Sequence, residues 1–215
     1  MKNINILGVS EDSIAIIFEL LKEVFHATEF TLYPNNLDNN EPSLPWGKMK
    51  YKIMPLGSAP RASEKVFFGC ATPQFKQNIY TFFNEKHQVN TDNFYTIIHP
   101  SSYVSESSII SNGVMIEPHV VISSQSRIGF GVYIKRGSLI GHHNEIGDFS
   151  DINPGVTISG RVTIGIGCTI GSGVVIKNNI NIGNNSVIGV GSVVTKNIPA
   201  NCIAYGNPCK VIRLV

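Results

Sequence analysis

A six-residue period governs the second half of this chain and leaves few folds open to it. Stepping by six from Val104, the positions are Val104, Ile110, Ile116, Ile122, Ile128, Ile134, Ile140, Ile146, Ile152, Ile158, Ile164, Ile170, Ile176, Ile182, Ile188 and Val194. All sixteen are β-branched and aliphatic, while the next position along, from Ser105 to Thr195, holds only Ser, Glu, Gly, Lys, Asn or Thr. The period therefore belongs to one frame and is not general isoleucine richness.

Four residues after each aliphatic position comes a second, small or β-branched set that includes Ser108, Val114, Val120, Ser126, Val132, Ser138, Ser150, Val156, Val162, Cys168 and Val174. A helix repeats its apolar face at three and four residues and a plain strand alternates by two. A strict six demands short strands that turn after each repeat, and three such sides close a triangular coil. Coils stack at about 4.8 Å, so isoleucines eighteen residues apart form dry ladders inside the prism. Gly129, Gly141, Gly147, Gly165, Gly171, Gly183 and Gly189 follow inward residues, where a bend or close packing suits glycine. The repeats amount to about five coils, more than the three or so that such an array needs.

The 215 residues carry a net charge of +2 with 15% charged side chains, so there is no basic surplus of the kind that nucleic acid attracts. No apolar run approaches the roughly 20 residues of a membrane span, and the opening MKNINILGVSEDS lacks the apolar core of a secretory signal. A cytoplasmic protein without membrane or nucleic-acid partners is expected. Cys70, Cys168, Cys202 and Cys209 form no C-x-x-C pair and have no histidine at zinc-finger spacing, which predicts free thiols and no metal site.

Residues 1–98 lack the repeat and read as a small α/β domain. Ile4 to Gly8 predicts a strand, followed by a helix with Asp12 as its N-cap and Ile14, Ile17, Phe18, Leu21, Val24 and Phe25 on one face. Further strands are expected at Phe30 to Tyr33, Val66 to Gly69 and Tyr95 to Ile98, with a second helix opened by Thr72-Pro73 and carrying Ile79, Phe82 and Phe83. In a Rossmann-like parallel sheet the strand C-termini and helix N-termini meet, so Gly8, Ser10, Asn35, Gly69 and Thr72 are the candidate contacts for a nucleotide-linked substrate. The loop Gly-Val-Ser-Glu-Asp-Ser has one glycine where phosphate loops have several, and the competing reading is a domain that caps the open end of the solenoid.

The periodicity resembles that of the bacterial hexapeptide-repeat transferases, and the resemblance implies a left-handed parallel β-helix, a hand that spacing alone does not supply. A narrower likeness runs through Ile98-His99-Pro100, Ile140-Gly-His142, Ile146-Gly-Asp-Phe149, Val193-Val-Thr-Lys-Asn-Ile-Pro199 and Gly206-Asn-Pro208. These pieces resemble the NeuD-like family of sialic acid O-acetyltransferases and bacterial UDP-amino-sugar N-acetyltransferases. The implied organisation is a nucleotide-sugar-binding α/β domain over 1–98, an acyltransferase β-helix over 99–200 and a C-terminal cap segment over 201–215.

The implied activity is transfer from acetyl-CoA to a nucleotide-linked amino sugar in surface-glycan biosynthesis, by a homotrimer. His142 matches the family's general base, a task suited to imidazole, whose ordinary pKa of about 6.5 leaves it mostly neutral near pH 7. Gly160 matches the backbone donor to the oxyanion. Ser124, His142 and Gly160 lie eighteen residues apart and should stack on one edge. Gly160, Gly173, Gly206, Asn207, Pro208 and Lys210 match the path of the CoA, although Lys210 reads equally well as a solvated lysine. One departure stands out. Members of the family commonly carry Asp or Glu directly after the base, whereas this chain has His143, so the orienting carboxylate is expected among Glu145, Asp148 and Asp151, unless the base acts without one. O-acetylation of sialic acid shares donor, fold and base with this reading, and a catalytically silent sugar-nucleotide-binding β-helix is the alternative of another class. A metal-dependent hydratase is disfavoured because the adjacent His142 and His143 make a poor chelate.

Overall fold

A computed structural model describes residues 3–35 and 49–215. The chain divides into two compact units, Met1–Ile97 and Ile98–Val215.

The first unit is a parallel sheet of four strands, β1 (Asn3–Leu7), β2 (Glu29–Tyr33), β3 (Lys50–Ile53) and β4 (Val66–Phe68), in the order β3-β2-β1-β4. Helix α1 (Glu11–Phe25) buries Ile14, Ile17, Phe18 and Leu21, and helix α2 (Pro73–His87) buries Ile79 and Phe83. Three expectations are corrected here. The N-cap of α1 is Ser10, so Asp12 falls inside the first turn. Lys50–Ile53 forms the fourth strand, an edge strand whose exposed lysines hide it from a hydrophobic pattern. Tyr95 to Ile98 does not take that place: Phe94 makes an isolated bridge to Val66, and only Ile97–Ile98 is extended beyond it.

The second unit is a left-handed parallel β-helix. Two-residue strands recur every six residues and stack in parallel, forming sheets of five and six strands and six of the eight strands of a third among the described residues. The register is eighteen residues throughout, as in Ile140 against Ile122 and Ile158. Fourteen of the sixteen repeat positions, Ile116 to Val194, are buried, and the first two, Val104 and Ile110, are partly buried and pack against that core. Buried Ser126, Ser138 and Ser150 within the second inward set bond the backbone of the next coil, which satisfies their hydroxyls inside an apolar prism. After Ile198 the chain pairs Cys202–Gly206 with Val187–Ile188 in parallel and folds back through Cys209–Leu214. This hairpin extends the eight-stranded sheet beyond the last coil.

Glycine at the position after the inward isoleucine answers to close packing. A Cβ on Gly141 would sit 2.8 Å from the backbone carbon of Ser159 in the next coil. The left-handed conformation falls two residues later, where Gln125, His143, Arg161 and Asn179 all have φ between 56 and 59°. Among the described residues no helix is long and apolar enough to cross a membrane.

Candidate active site on one edge of the prism

The edge column that runs through Ser124, His142, Gly160 and Asn178 lies two residues beyond the inward column Ile122, Ile140, Ile158 and Ile176. His142 leaves the prism at this corner and is exposed, with its imidazole lying over Gly160 of the next coil. The approach requires glycine: a Cβ at position 160 would lie 2.6 Å from both Cε1 and Nε2 of the ring. No relaxed Cβ contact is that short, so any other residue at 160 would displace the imidazole.

The turn beneath the ring is held from three directions. The Gly141 carbonyl accepts Ser126 Oγ and Asn144 Nδ2, each at 2.9 Å. Asn144 is fully buried and its Oδ1 accepts the Val162 N–H at 2.7 Å, so one amide ties the histidine turn to the coil above. His143 N donates to Ser124 O at 3.0 Å and Arg161 N donates to His142 O at 2.9 Å. Among the described residues the N–H of Gly160 meets no acceptor. The edge thus offers an imidazole nitrogen and an unengaged backbone donor on successive coils.

The three carboxylates expected to orient His142 have other situations. Asp148 Oδ1 accepts the Phe130 N–H at 2.8 Å and stitches another corner of the prism. Asp151 is buried on a different sheet and pairs with Lys135 at 2.9 Å. Glu145 is exposed on the neighbouring face, in register with Arg127. None of the three hydrogen-bonds His142 among the described residues. The ring's partner is its neighbour, with His142 Nδ1 and His143 Nδ1 2.9 Å apart and the rings nearly perpendicular, at 89°. The sequence shows His143 as a missing carboxylate and a poor chelate, not as the partner of His142. Asn144 is likewise passed over, and its signal is that an amide interrupts a column otherwise small or aliphatic.

The five candidate contacts of the first unit converge at the C-terminal edge of its sheet. Gly8 N donates to Tyr33 O at 2.9 Å, Ser10 N to Gly69 O at 3.1 Å and Gly69 N to Leu7 O at 2.9 Å. Asn35 reaches toward Gly8, and Thr72 caps α2. Neither Ser10 nor Thr72 caps its helix through the side chain, which leaves both helix N-termini with unmet donors. Packing here is tight, since a Cβ on Gly69 would lie 2.0 Å from Gly8 O. Of the residues matched to CoA, Gly173 occupies a left-handed turn of the β-helix, Gly206 ends the first strand of the terminal hairpin, and Asn207 and Pro208 form its turn. Lys210 is exposed on its second strand.

No protein-family model matches the chain, and no curated protein matches it in sequence. Solved structures do share its fold over nearly the full length. A perosamine N-acetyltransferase variant from Caulobacter crescentus, in complex with CoA and GDP-perosamine, is 20% identical with a TM-score of 0.77, over 99% of this chain and 97% of its own. The acetyltransferase domain of PglB from Neisseria gonorrhoeae FA1090, in complex with acetyl coenzyme A, is 20% identical with a TM-score of 0.80, over 98% of this chain and 99% of its own. WeeI from Acinetobacter baumannii AYE is 21% identical with a TM-score of 0.81, over 98% of this chain and 100% of its own. The likeness establishes the fold, an α/β domain joined to a left-handed hexapeptide β-helix.

Proposed function

We propose that this protein transfers the acetyl group of acetyl-CoA to the amine of a nucleotide-linked amino sugar, with His142 as general base. The observation that carries the reading is the imidazole of His142 lying over Gly160. The molecules bound by the structural neighbours, CoA, acetyl coenzyme A and GDP-perosamine, are of the donor and acceptor classes that such a reaction takes.

The chemistry follows from the two groups on the edge. The sugar amine attacks the thioester carbonyl as His142 Nε2 takes a proton from the nitrogen, and the carbonyl oxygen becomes an oxyanion. The Gly160 N–H, without an acceptor among the described residues, is the donor to that oxygen. Collapse forms the amide, breaks the C–S bond and expels CoA, whose sulfur receives the proton from the imidazolium. Gly173, Gly206, Asn207, Pro208 and Lys210 are assigned to the CoA path. Gly8, Ser10, Asn35, Gly69 and Thr72 are assigned to the nucleotide sugar, whose anionic phosphates suit the open N-termini of α1 and α2. Substrates of this kind belong to the cytoplasm, where the reaction is placed; the four cysteines are free thiols.

A homotrimer completes the reading. The outer face of the six-stranded sheet carries Tyr103, Val121, Leu139 and Val175, between 39% and 60% exposed, an apolar stripe that Thr157 interrupts between Leu139 and Val175. The adjoining five-stranded face presents Arg127, Glu145, Thr163 and Asn181 in the matching positions. His142 stands at the corner between the two, so copies packed on the apolar stripe wall in the site. Light scattering should give a trimer, and a monomer would contradict a shared site.

The test of the activity is release of CoA thiol from acetyl-CoA across UDP-, GDP- and dTDP-linked amino sugars, with free sialic acid as comparison. Release with an amino-sugar nucleotide is the expected result. Release with sialic acid alone would move the acceptor to a hydroxyl, and silence with acetyl-CoA still bound would sink the transfer reading.

A further inference from the structure

The partner of His142 is another imidazole, and that pairing has a consequence for the base. Two imidazole nitrogens 2.9 Å apart are within hydrogen-bond range, and their lone pairs repel unless one of them carries the proton. One proton therefore lies between the two Nδ1 atoms when both rings are neutral. It has two possible owners. If His143 owns it, His142 must hold its own proton on Nε2 and has no lone pair there to offer. If His142 owns it, its Nε2 is left bare over Gly160, the state that a base acting through that nitrogen requires.

We propose that His143 is a positioning residue: its Nδ1 accepts the Nδ1–H of His142 and so fixes the base in the tautomer whose lone pair is on Nε2. The assignment rests on the acyl-transfer reading above and extends it, since it supplies the orienting group that no carboxylate provides. A tautomer is set by the hydrogen bond that the other ring nitrogen makes, and a neutral acceptor serves for this as well as an anionic one. The pair also shares the load of the proton. When Nε2 takes the proton from the amine, the resulting imidazolium keeps its Nδ1–H on His143, and no covalent change occurs at His143.

The backbone does not explain the histidine. Position 143 has φ of 56° and its N–H bonds Ser124 O of the preceding coil, yet Gln125, Arg161 and Asn179 share this conformation, and Arg161 and Asn179 the matching bond, without an imidazole. Asn and Gly adopt this left-handed conformation more readily than His. Substitution by either keeps the turn while changing what faces His142, so folding and positioning can be separated. His143→Gly removes the acceptor, and His143→Asn restores one through its side-chain oxygen.

The deciding experiment is ¹⁵N NMR of the histidine rings in the whole protein without substrate, together with kcat and KM for the three forms. The wild type should show His142 protonated at Nδ1 and bare at Nε2. His143→Gly should revert to the Nε2–H form that free imidazole side chains prefer, and His143→Asn should recover the wild-type signature. In turnover, His143→Gly should lose about 10-fold in kcat with KM little changed, and His143→Asn should regain most of it. A wild-type His142 bare at Nδ1, or a signature that His143→Gly leaves unaltered, would overturn the proposal whatever the activity. The paired signature in a protein that acetylates no amino sugar would instead overturn the transfer reading and leave the histidine pair standing.

Discussion

Two columns of the β-helix, two residues apart in the chain, follow opposite rules. The inward column Ile122, Ile140, Ile158, Ile176 repeats one residue and buries each copy against the next. The edge column Ser124, His142, Gly160, Asn178 repeats nothing, although the same eighteen-residue register stacks it. Interior positions act collectively, because each isoleucine fills the same hole between the same neighbours. Edge positions act singly, because only one rung carries an imidazole and only the rung above it lacks a side chain. The solenoid therefore spreads its stability over the whole length and confines its chemistry to one step between coils.

Substitutions can break that contrast from either side. The largest expected effect is at the edge: Gly160→Ala places a methyl 2.6 Å from the imidazole, displaces it, and should lower kcat by 10²-fold or more with little change in melting temperature. Steady-state kinetics beside thermal denaturation would show whether the two readouts separate as described. Next, Ile158→Ala empties a buried rung and should cost about 2–5 kcal/mol in urea unfolding. Two inward rungs of equal burial should cost alike, so Ile176→Ala is the control for collective action.

A smaller effect belongs to the outer face. Tyr133 is buried there and donates its hydroxyl to the buried carboxylate of Glu117, which Arg136 Nη1 also meets at 2.7 Å. Burial first, and then the Glu117 charge, raise the Tyr133 pKa well above its ordinary value. The unfolded chain loses this proton near pH 10 while the folded chain keeps it, so stability should decline as pH rises beyond about 10. Tyr133→Phe should flatten that alkaline decline. An unchanged slope in denaturant melts above pH 10 would mean that the hydroxyl is not held as described.

The same contrast explains what could be read from the sequence. The inward ladder was legible because sixteen positions repeat one signal, and a single exception would not have hidden it. The α/β unit offered each of its signals once. Its helices and three of its strands were legible from apolar faces such as Ile14, Ile17 and Phe18. The edge strand Lys50–Ile53 was not, because one of its two faces is water and its lysines resemble a loop. The cap of α1 was assigned two residues late because Ser10 and Asp12 both suit an N-terminus. At the edge, stacking of His142 under Gly160 followed from the eighteen-residue spacing. The partner of His142 did not, since adjacent residues usually diverge and only the left-handed turn at His143 brings the two rings together.

The central claim is that one rung of the edge column performs the transfer, and its most direct test is His142→Ala. Turnover with the accepted amino-sugar nucleotide should fall by about 10²-fold or more, while calorimetry should find acetyl-CoA bound as tightly as by the wild type. Undiminished turnover in the variant would remove His142 from the chemistry and contradict the account.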